Sequence, residues 1–238
     1  MTSMLITGAN RGLGLDFVRR LAPEGWRIHA CCRNPAKATD LQALADTHDV
    51  TIHALDVADF AQIDALKKTL GKEPIDVLFN NAGIMETIQR TLSLDHTNQM
   101  FDTLDEDEWM EVIRVNTMAP MRMCEIFVDN VAASERKQML MMSSIVGSIG
   151  SNQTGRWYHY ATSKTALNMV MRSLAADLKD RGITVMSLHP GWTQTDMGGP
   201  SAALTIDESV GGMVEVVKNL TPADSGRFIA WNGEDVPW

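Results

Sequence analysis

Tyr160 and Lys164 stand four residues apart, a spacing that on a helix puts two side chains on one face, one turn from each other. A phenol is a poor acid near neutrality, with a pKa of about 10. A close ammonium favours the phenolate and eases loss of the proton. Such a pair can pass a proton to or from a substrate oxygen. On its own the spacing is more often a solvated helix face, so its weight comes from the rest of the chain. Tyr158 is a decoy, because four residues on from it stands Thr162 rather than a lysine. Upstream, Ser143 and Ser144 follow the apolar run 138–142. A serine hydroxyl at the C-terminal end of a strand can hydrogen-bond a substrate carbonyl.

These groups need elements that bring them together. Met4-Leu5-Ile6 reads as a buried strand, followed by Thr7-Gly8-Ala9-Asn10-Arg11-Gly12-Leu13-Gly14 and then by a helical apolar stripe through Leu15, Phe17, Val18 and Leu21. Strand, glycine turn and helix form the context in which a backbone can approach a pyrophosphate at a helix N-terminus. The spacing is G-x-x-x-G-x-G, not the G-x-G-x-x-G of other dinucleotide folds. A second strand over 26–32 ends at Cys32-Arg33. In dinucleotide folds an acidic residue at such a strand end accepts from the adenosine ribose. A carboxylate there would repel a 2′-phosphate, whereas a guanidinium grips it through a fork of donors. Arg33, with Arg11 in the glycine turn, therefore predicts NADP(H) over NAD(H). A helix over 36–45 and a strand over 50–55 lead to Asp56-Val57, where Asp56 can meet an adenine amino group or cap the next helix. A fourth strand over 75–79 is followed by Asn80-Asn81-Ala82-Gly83.

Thr7-Gly8-x-x-x-Gly12-x-Gly14, Asn80-Asn81-Ala82-Gly83 and Tyr160-x-x-x-Lys164, in that order, resemble the short-chain dehydrogenase/reductase family over nearly the whole chain. The ending Asn232-Gly233-Glu234-Asp235-Val236-Pro237-Trp238 is similar to that of its C-factor and sniffer-like carbonyl reductase subgroup. The resemblance implies one Rossmann-type domain over 1–238, an α/β fold whose doubly wound parallel sheet has about seven strands and helices on both faces. It implies a nicotinamide cofactor and hydride transfer between the cofactor and a carbonyl or alcohol carbon. The catalytic set that it implies is Asn116, Ser144, Tyr160 and Lys164. Asn116 would hold a water linking the lysine to solvent, and Ser143 is the alternative to Ser144. The implied cofactor set is Gly8, Asn10, Arg11, Gly12, Leu13, Arg33, Asp56, Val57, Asn80, Ala82, Gly83, Tyr160, Lys164, Pro190, Gly191, Thr193 and Thr195. Relatives commonly form dimers or tetramers through the helices that carry Asn116 and Tyr160.

The Ser144–Tyr160 interval is longer than the family's, with 150–155 as the insertion. The stretch 84–106 is a long polar connection expected to be mobile and to line the pocket. A helix is expected over 106–132, a strand over 183–188, a short lid over 196–205, a helix over 207–220 and a strand over 226–231. Trp192 is either a pocket wall or packing beneath its turn.

The chain has 238 residues, 45% of them hydrophobic, and a net charge of −9. That excess of acid disfavours attraction to nucleic acid or an anionic membrane, and no apolar run approaches a membrane span. Cys31, Cys32 and Cys124 do not form a disulfide framework, which points to a reducing, cytoplasmic setting. The six histidines lack the clustering of a metal site and read as structural or solvated. Two other readings fit parts of the chain. A cofactor-binding regulator or signalling protein of the C-factor type would not need the catalytic set. A methyltransferase accounts for the glycine turn but not for Tyr160 and Lys164.

Overall fold

The computed structural model describes residues 1–85, 101 and 104–238. Its elements run β1 (Ser3–Thr7), α1 (Gly12–Leu21), β2 (Arg27–Cys32), α2 (Thr39–Ala45), β3 (Val50–Ala54), α3 (Phe60–Leu70) and β4 (Val77–Asn80). Then come α4 (Glu106–Ile113), α5 (Ala119–Ala132), β5 (Gln138–Met142), α6 (Tyr158–Asp177), β6 (Thr184–His189), α7 (Ile206–Asn219) and β7 (Phe228–Ala230). The seven strands form a parallel sheet in the order β3-β2-β1-β4-β5-β6-β7. The chain reverses its direction of winding between β1 and β4, so a crevice opens there at the C-terminal strand ends.

Both faces of each central strand are apolar, as a sheet covered on two sides requires. Met4 and Ile6 enter one core with Phe17, Leu21, Leu41, Val210 and Met213, under α1, α2 and α7. Leu5 points the other way, into a core with Ile63, Phe127, Met139, Leu167 and Met171, under α3, α5 and α6. Full burial of each such side chain stabilises the fold by about 1.5–3 kcal/mol. Phe17 meets Phe79 edge-on, with ring centroids 4.9 Å apart, and so ties α1 to β4. No helix of the described residues is long and apolar enough to cross a membrane.

Two helices differ from expectation. The span 36–45 divides into a 3-10 turn, Pro35–Lys37, and α2. The span 106–132 is one helical run whose middle, Arg114–Met118, is a π turn between α4 and α5. Pro120 has no N–H to offer the carbonyl of Asn116, so the regular i→i−4 ladder is broken there. The expected connection over 84–106 lies almost wholly outside the described residues.

Candidate active site

The glycine turn is shaped by close approach. A Cβ on Gly14 would stand 2.3 Å from the Gly8 carbonyl oxygen, so only glycine lets α1 begin against the end of β1. Arg11, at the N-cap of α1, makes no side-chain cap hydrogen bond, which leaves the first-turn amides free of a side-chain acceptor. Thr7 Oγ1 accepts from the amides of Asn81 and Ala82 at 3.1 and 3.0 Å. Asn81 Nδ2 donates back to the carbonyls of Thr7 and Gly8 at 2.9 and 3.2 Å. The turns after β1 and β4 are thereby locked side by side. Ala82 and Gly83 thus lie at the crevice, but the Asn80 side chain does not. Asn80 is buried in the core, its Nδ2 3.5 Å from Cys124 Sγ and 3.4 Å from Met141 Sδ, and Asn81 is the amide that serves the glycine turn. Alternation along β4 is the physical reason, since successive side chains point to opposite sides.

Tyr160 and Lys164 lie in the first two turns of α6, 8% and 3% exposed. Neighbours on several sides brace that segment. Trp109 of α4 stacks on His159 and donates from Nε1 to Thr162 Oγ1 at 2.8 Å. From the π turn, Asn116 Nδ2 donates to Ser163 Oγ at 2.9 Å and Thr117 Oγ1 to the Ser163 carbonyl at 2.8 Å. On another side Gly147 is so close that a Cβ would stand 2.7 Å from the Lys164 carbonyl carbon. Lys164 Nζ donates to the Met142 carbonyl at 2.8 Å and lies 5.6 Å from the centre of the Tyr160 ring. A Cβ on Gly83 would be 3.2 Å from Asn116 Oδ1 and 3.3 Å from Lys164 Nζ, so these three residues adjoin.

The two serines separate cleanly. Ser143 Oγ donates to Asn168 Oδ1 at 2.7 Å, within the core. Ser144 is hydrogen-bonded through its side chain to Tyr160, and its Oγ accepts from the Val146 amide at 3.2 Å. The longer Ser144–Tyr160 interval does not part them. The insertion is folded aside, with the Gly150 amide donating to the Trp238 carbonyl at 2.7 Å. The chain then re-enters α6 through Gly155, Arg156 and Trp157, all with positive φ.

Burial decides the electrostatics. It pushes the Tyr160 phenol up to about 12, partly offset by the Ser144 hydrogen bond. It pushes the Lys164 ammonium down to about 7. In this arrangement burial outweighs the expected acidification of the phenol by the lysine. Lys164 is itself desolvated, bonded to a carbonyl and set over the ring face, and Ser144 is the group that eases the proton off Tyr160. Asn116 is fully buried, and its side-chain amide is engaged by Ile84 N at 2.9 Å, Ile84 O at 2.7 Å and Ser163.

The remaining expected positions divide. Asp56 closes its own turn, Oδ1 accepting from the Ala58 amide at 3.0 Å. The cap of α3 is Asp59, which accepts from the Ala61 amide. Val57 packs against the core beside α3. Arg33 is exposed and has no ion pair among the described residues. Arg11 is paired with Asp196 at 2.7 Å, the side chains 57% and 78% exposed. Such a pair contributes about 0–1 kcal/mol and yields readily to a stronger anion. Asn10 is exposed in the same turn, and Gly12 and Leu13 are half-buried. The methyl of Thr195 would lie 3.8 Å from a Cβ on Gly12, so the lid meets the glycine turn. Thr193 is buried, its hydroxyl donating to the Pro190 carbonyl at 3.0 Å. Trp192 is 56% exposed and tied to the lid by Nε1–H to the Gly198 carbonyl at 2.9 Å. Gly191 donates its amide to His189 Nδ1 at 3.3 Å. His189 is one of the six histidines read as structural or solvated, and its place directly before Pro190-Gly191 at a strand end was the available signal for a part in the site. Among the described residues no group of His, Cys, Asp and Glu is arranged to hold a metal ion.

A nicotinamide dinucleotide fits these residues. The glycine cradle a Cβ would fill, the α1 amides without a side-chain cap and the exposed Arg33 suit a pyrophosphate and a further phosphate. A family model described as short chain dehydrogenase matches residues 2–204. The C-signal protein of Myxococcus xanthus is 36% identical over 69% of this chain and 93% of its own length. Among solved structures, the carbonyl reductase Sniffer of Drosophila melanogaster superposes with a TM-score of 0.89 at 33% identity, over 100% of both chains. An NADPH-bound carbonyl reductase from chicken fatty liver gives 0.88 at 34% identity, over 100% of this chain and 99% of its own.

Proposed function

The chain belongs to the short-chain dehydrogenase family, and from that premise we propose that it is an NADPH-dependent carbonyl reductase acting on a small aldehyde, ketone or quinone. The reverse alcohol oxidation uses the same groups. The observation that carries this reading is the side-chain hydrogen bond between Ser144 and Tyr160, with Lys164 one turn beyond. When bound, the dinucleotide supplies or accepts the hydride at its nicotinamide ring. Ser144 donates to the substrate carbonyl oxygen, where negative charge develops. Tyr160 gives its phenolic proton to that oxygen as it becomes an alkoxide. Lys164, with its pKa brought down to about 7, can take up and release a proton near neutrality and so recharge the tyrosine. As an ammonium it also attracts the transient phenolate. The Asn116 side-chain amide is occupied by Ile84 and Ser163, so a water relay from Lys164 would use the Asn116 main-chain carbonyl.

Preference for NADPH rests on Arg33, the exposed guanidinium after β2, where no carboxylate stands to repel a 2′-phosphate. The NADPH-bound state of the chicken carbonyl reductase supports it. Three buried free cysteines accord with a reducing, cytoplasmic setting. The whole chain, as one domain, would assemble as a dimer or tetramer through α5 and α6, where Met121 and Met169 are exposed. A second reading, a cofactor-binding signalling protein, is favoured by the likeness to the C-signal protein.

A panel of aldehydes, ketones and quinones with NADPH or NADH separates these. The enzyme reading expects turnover with NADPH, a higher KM for NADH, and loss of that preference in Arg33→Ala. Silence across the panel with tight NADPH binding supports the signalling protein. A clear preference for NADH contradicts the role of Arg33.

A further inference from the structure

His189 is the last residue of β6 and half-buried at the crevice. Its Nδ1 accepts two backbone hydrogen bonds, from the Ile145 amide at 3.2 Å and from the Gly191 amide at 3.3 Å. Those two donors belong to different turns. Ile145 directly follows Ser144, the serine bonded to Tyr160. Gly191 lies in the turn after β6, and its neighbour Trp192 is hydrogen-bonded to Gly198 of the lid. One nitrogen therefore joins the loop carrying the carbonyl-binding hydroxyl to the loop that faces the ligand from the other side. Accepting two N–H groups fixes the tautomer, with the ring proton on Nε2. Burial holds the imidazole neutral, with its pKa brought down to about 4. The tie thus persists throughout the working pH range of a neutral-pH enzyme. The turn is anchored beneath as well, since the Pro190 carbonyl accepts from Ser209 Oγ of α7 at 2.6 Å.

We propose that His189 is a positioning residue, whose Nδ1 fixes the Ser144 turn against the Gly191 turn and so sets where the substrate oxygen meets the Ser144 hydroxyl. It touches neither substrate nor proton path. It acts through the placement of Ser144, and an error of about 1 Å at a reacting centre can lower a rate about a hundredfold. The role rests on the carbonyl reductase reading above. The asparagine amide oxygen hangs from Cγ as Nδ1 does, so His189→Asn keeps the acceptor in place, while His189→Leu keeps bulk and removes it.

The test compares wild type, H189N and H189L for kcat, NADPH affinity and hydrogen exchange at the Ile145 and Gly191 amides. In H189L, kcat falls about tenfold to a hundredfold and both amides lose protection. NADPH affinity falls less than kcat, because the glycine turn and Arg33 are untouched and only the Gly191 side of the implied cofactor set is loosened. H189N restores both protection and most of kcat, which a merely structural role would not require. Should H189L fail to fold, H189Q, whose carbonyl sits one bond further out, replaces it as the mismatched acceptor. Wild-type kcat in the mismatched variant, or unchanged protection of the two amides, overturns the proposal. If wild type itself turns over no carbonyl compound, the reaction reading falls, and the exchange data alone decide whether His189 joins the two turns.

Discussion

At the residue scale, two adjacent serines with the same chemistry are given opposite tasks by the pleat of β5. Ser143 turns into the core toward Asn168, and Ser144 turns to Tyr160. Steady-state kinetics of the two alanine variants check this division. Ser144→Ala should lower kcat by about 10²–10³, the loss expected when a donor at a developing oxyanion is removed. Ser143→Ala should leave kcat near wild type and cost about 1 kcal/mol of stability through the lost buried hydrogen bond. Equal kinetic losses would contradict the assignment. The sequence marked Tyr160 and Lys164 by spacing together with the ordered motifs before them, and Ser144 by family pattern. It did not reveal how the phenol is tuned. Burial depends on what packs around a side chain, so the rise at Tyr160 and the fall at Lys164 are properties of the assembled site. The inward engagement of the Asn80 and Thr193 side chains was hidden for a related reason: both lie in recognisable motifs, but what their side chains meet depends on the packing around them.

At the element scale, the strands and the glycine turn were legible because short apolar runs bounded by glycine leave few alternatives. Gly14 is the tightest point, its hypothetical Cβ 2.3 Å from the Gly8 carbonyl oxygen. Gly14→Ala should therefore push α1 off the end of β1. The expected cost is about 1–3 kcal/mol from overpacking, a drop in Tm of roughly 2–12 °C, with weakened NADPH binding. A thermal melt paired with a binding titration checks it, and an unchanged Tm would show that the helix does not start where the structure puts it. The π turn at Arg114–Met118 was not legible. Helical periodicity runs through it without a break in hydrophobicity, and only Pro120 hinted that the ladder changes. The turn matters because it carries Asn116 and Thr117, which together hold Ser163, the residue directly before Lys164.

At the scale of the whole molecule, the sheet is stitched at the end away from the crevice by one carboxylate. Asp76 accepts from Ser3 N at 2.8 Å, Ser3 Oγ at 3.0 Å, Glu135 N at 3.2 Å and Arg136 N at 3.1 Å, joining the starts of β1, β4 and β5. Burial pushes its pKa up, but those donors outweigh it and leave the carboxyl below its ordinary value. The native state therefore binds fewer protons than the unfolded chain across that interval. The stabilisation is complete above the unfolded pKa of about 3.9 and is lost as pH falls through the lower folded value. Asp76→Asn should cost about 1–3 kcal/mol at pH 7, and denaturant titrations should show the difference from wild type shrinking in acid below that range. A difference independent of pH would contradict the ionised staple. Nothing in the sequence marked Asp76, because its donors come from residues distant in the chain.

The central claim is that the Tyr160 hydroxyl, beside Ser144, handles the substrate proton. The most direct measurement is NADPH consumption with a carbonyl substrate by wild type and Tyr160→Phe, with NADPH affinity measured on both. Near-complete loss of turnover with affinity retained is the predicted result. A Tyr160→Phe enzyme working at the wild-type rate would contradict it.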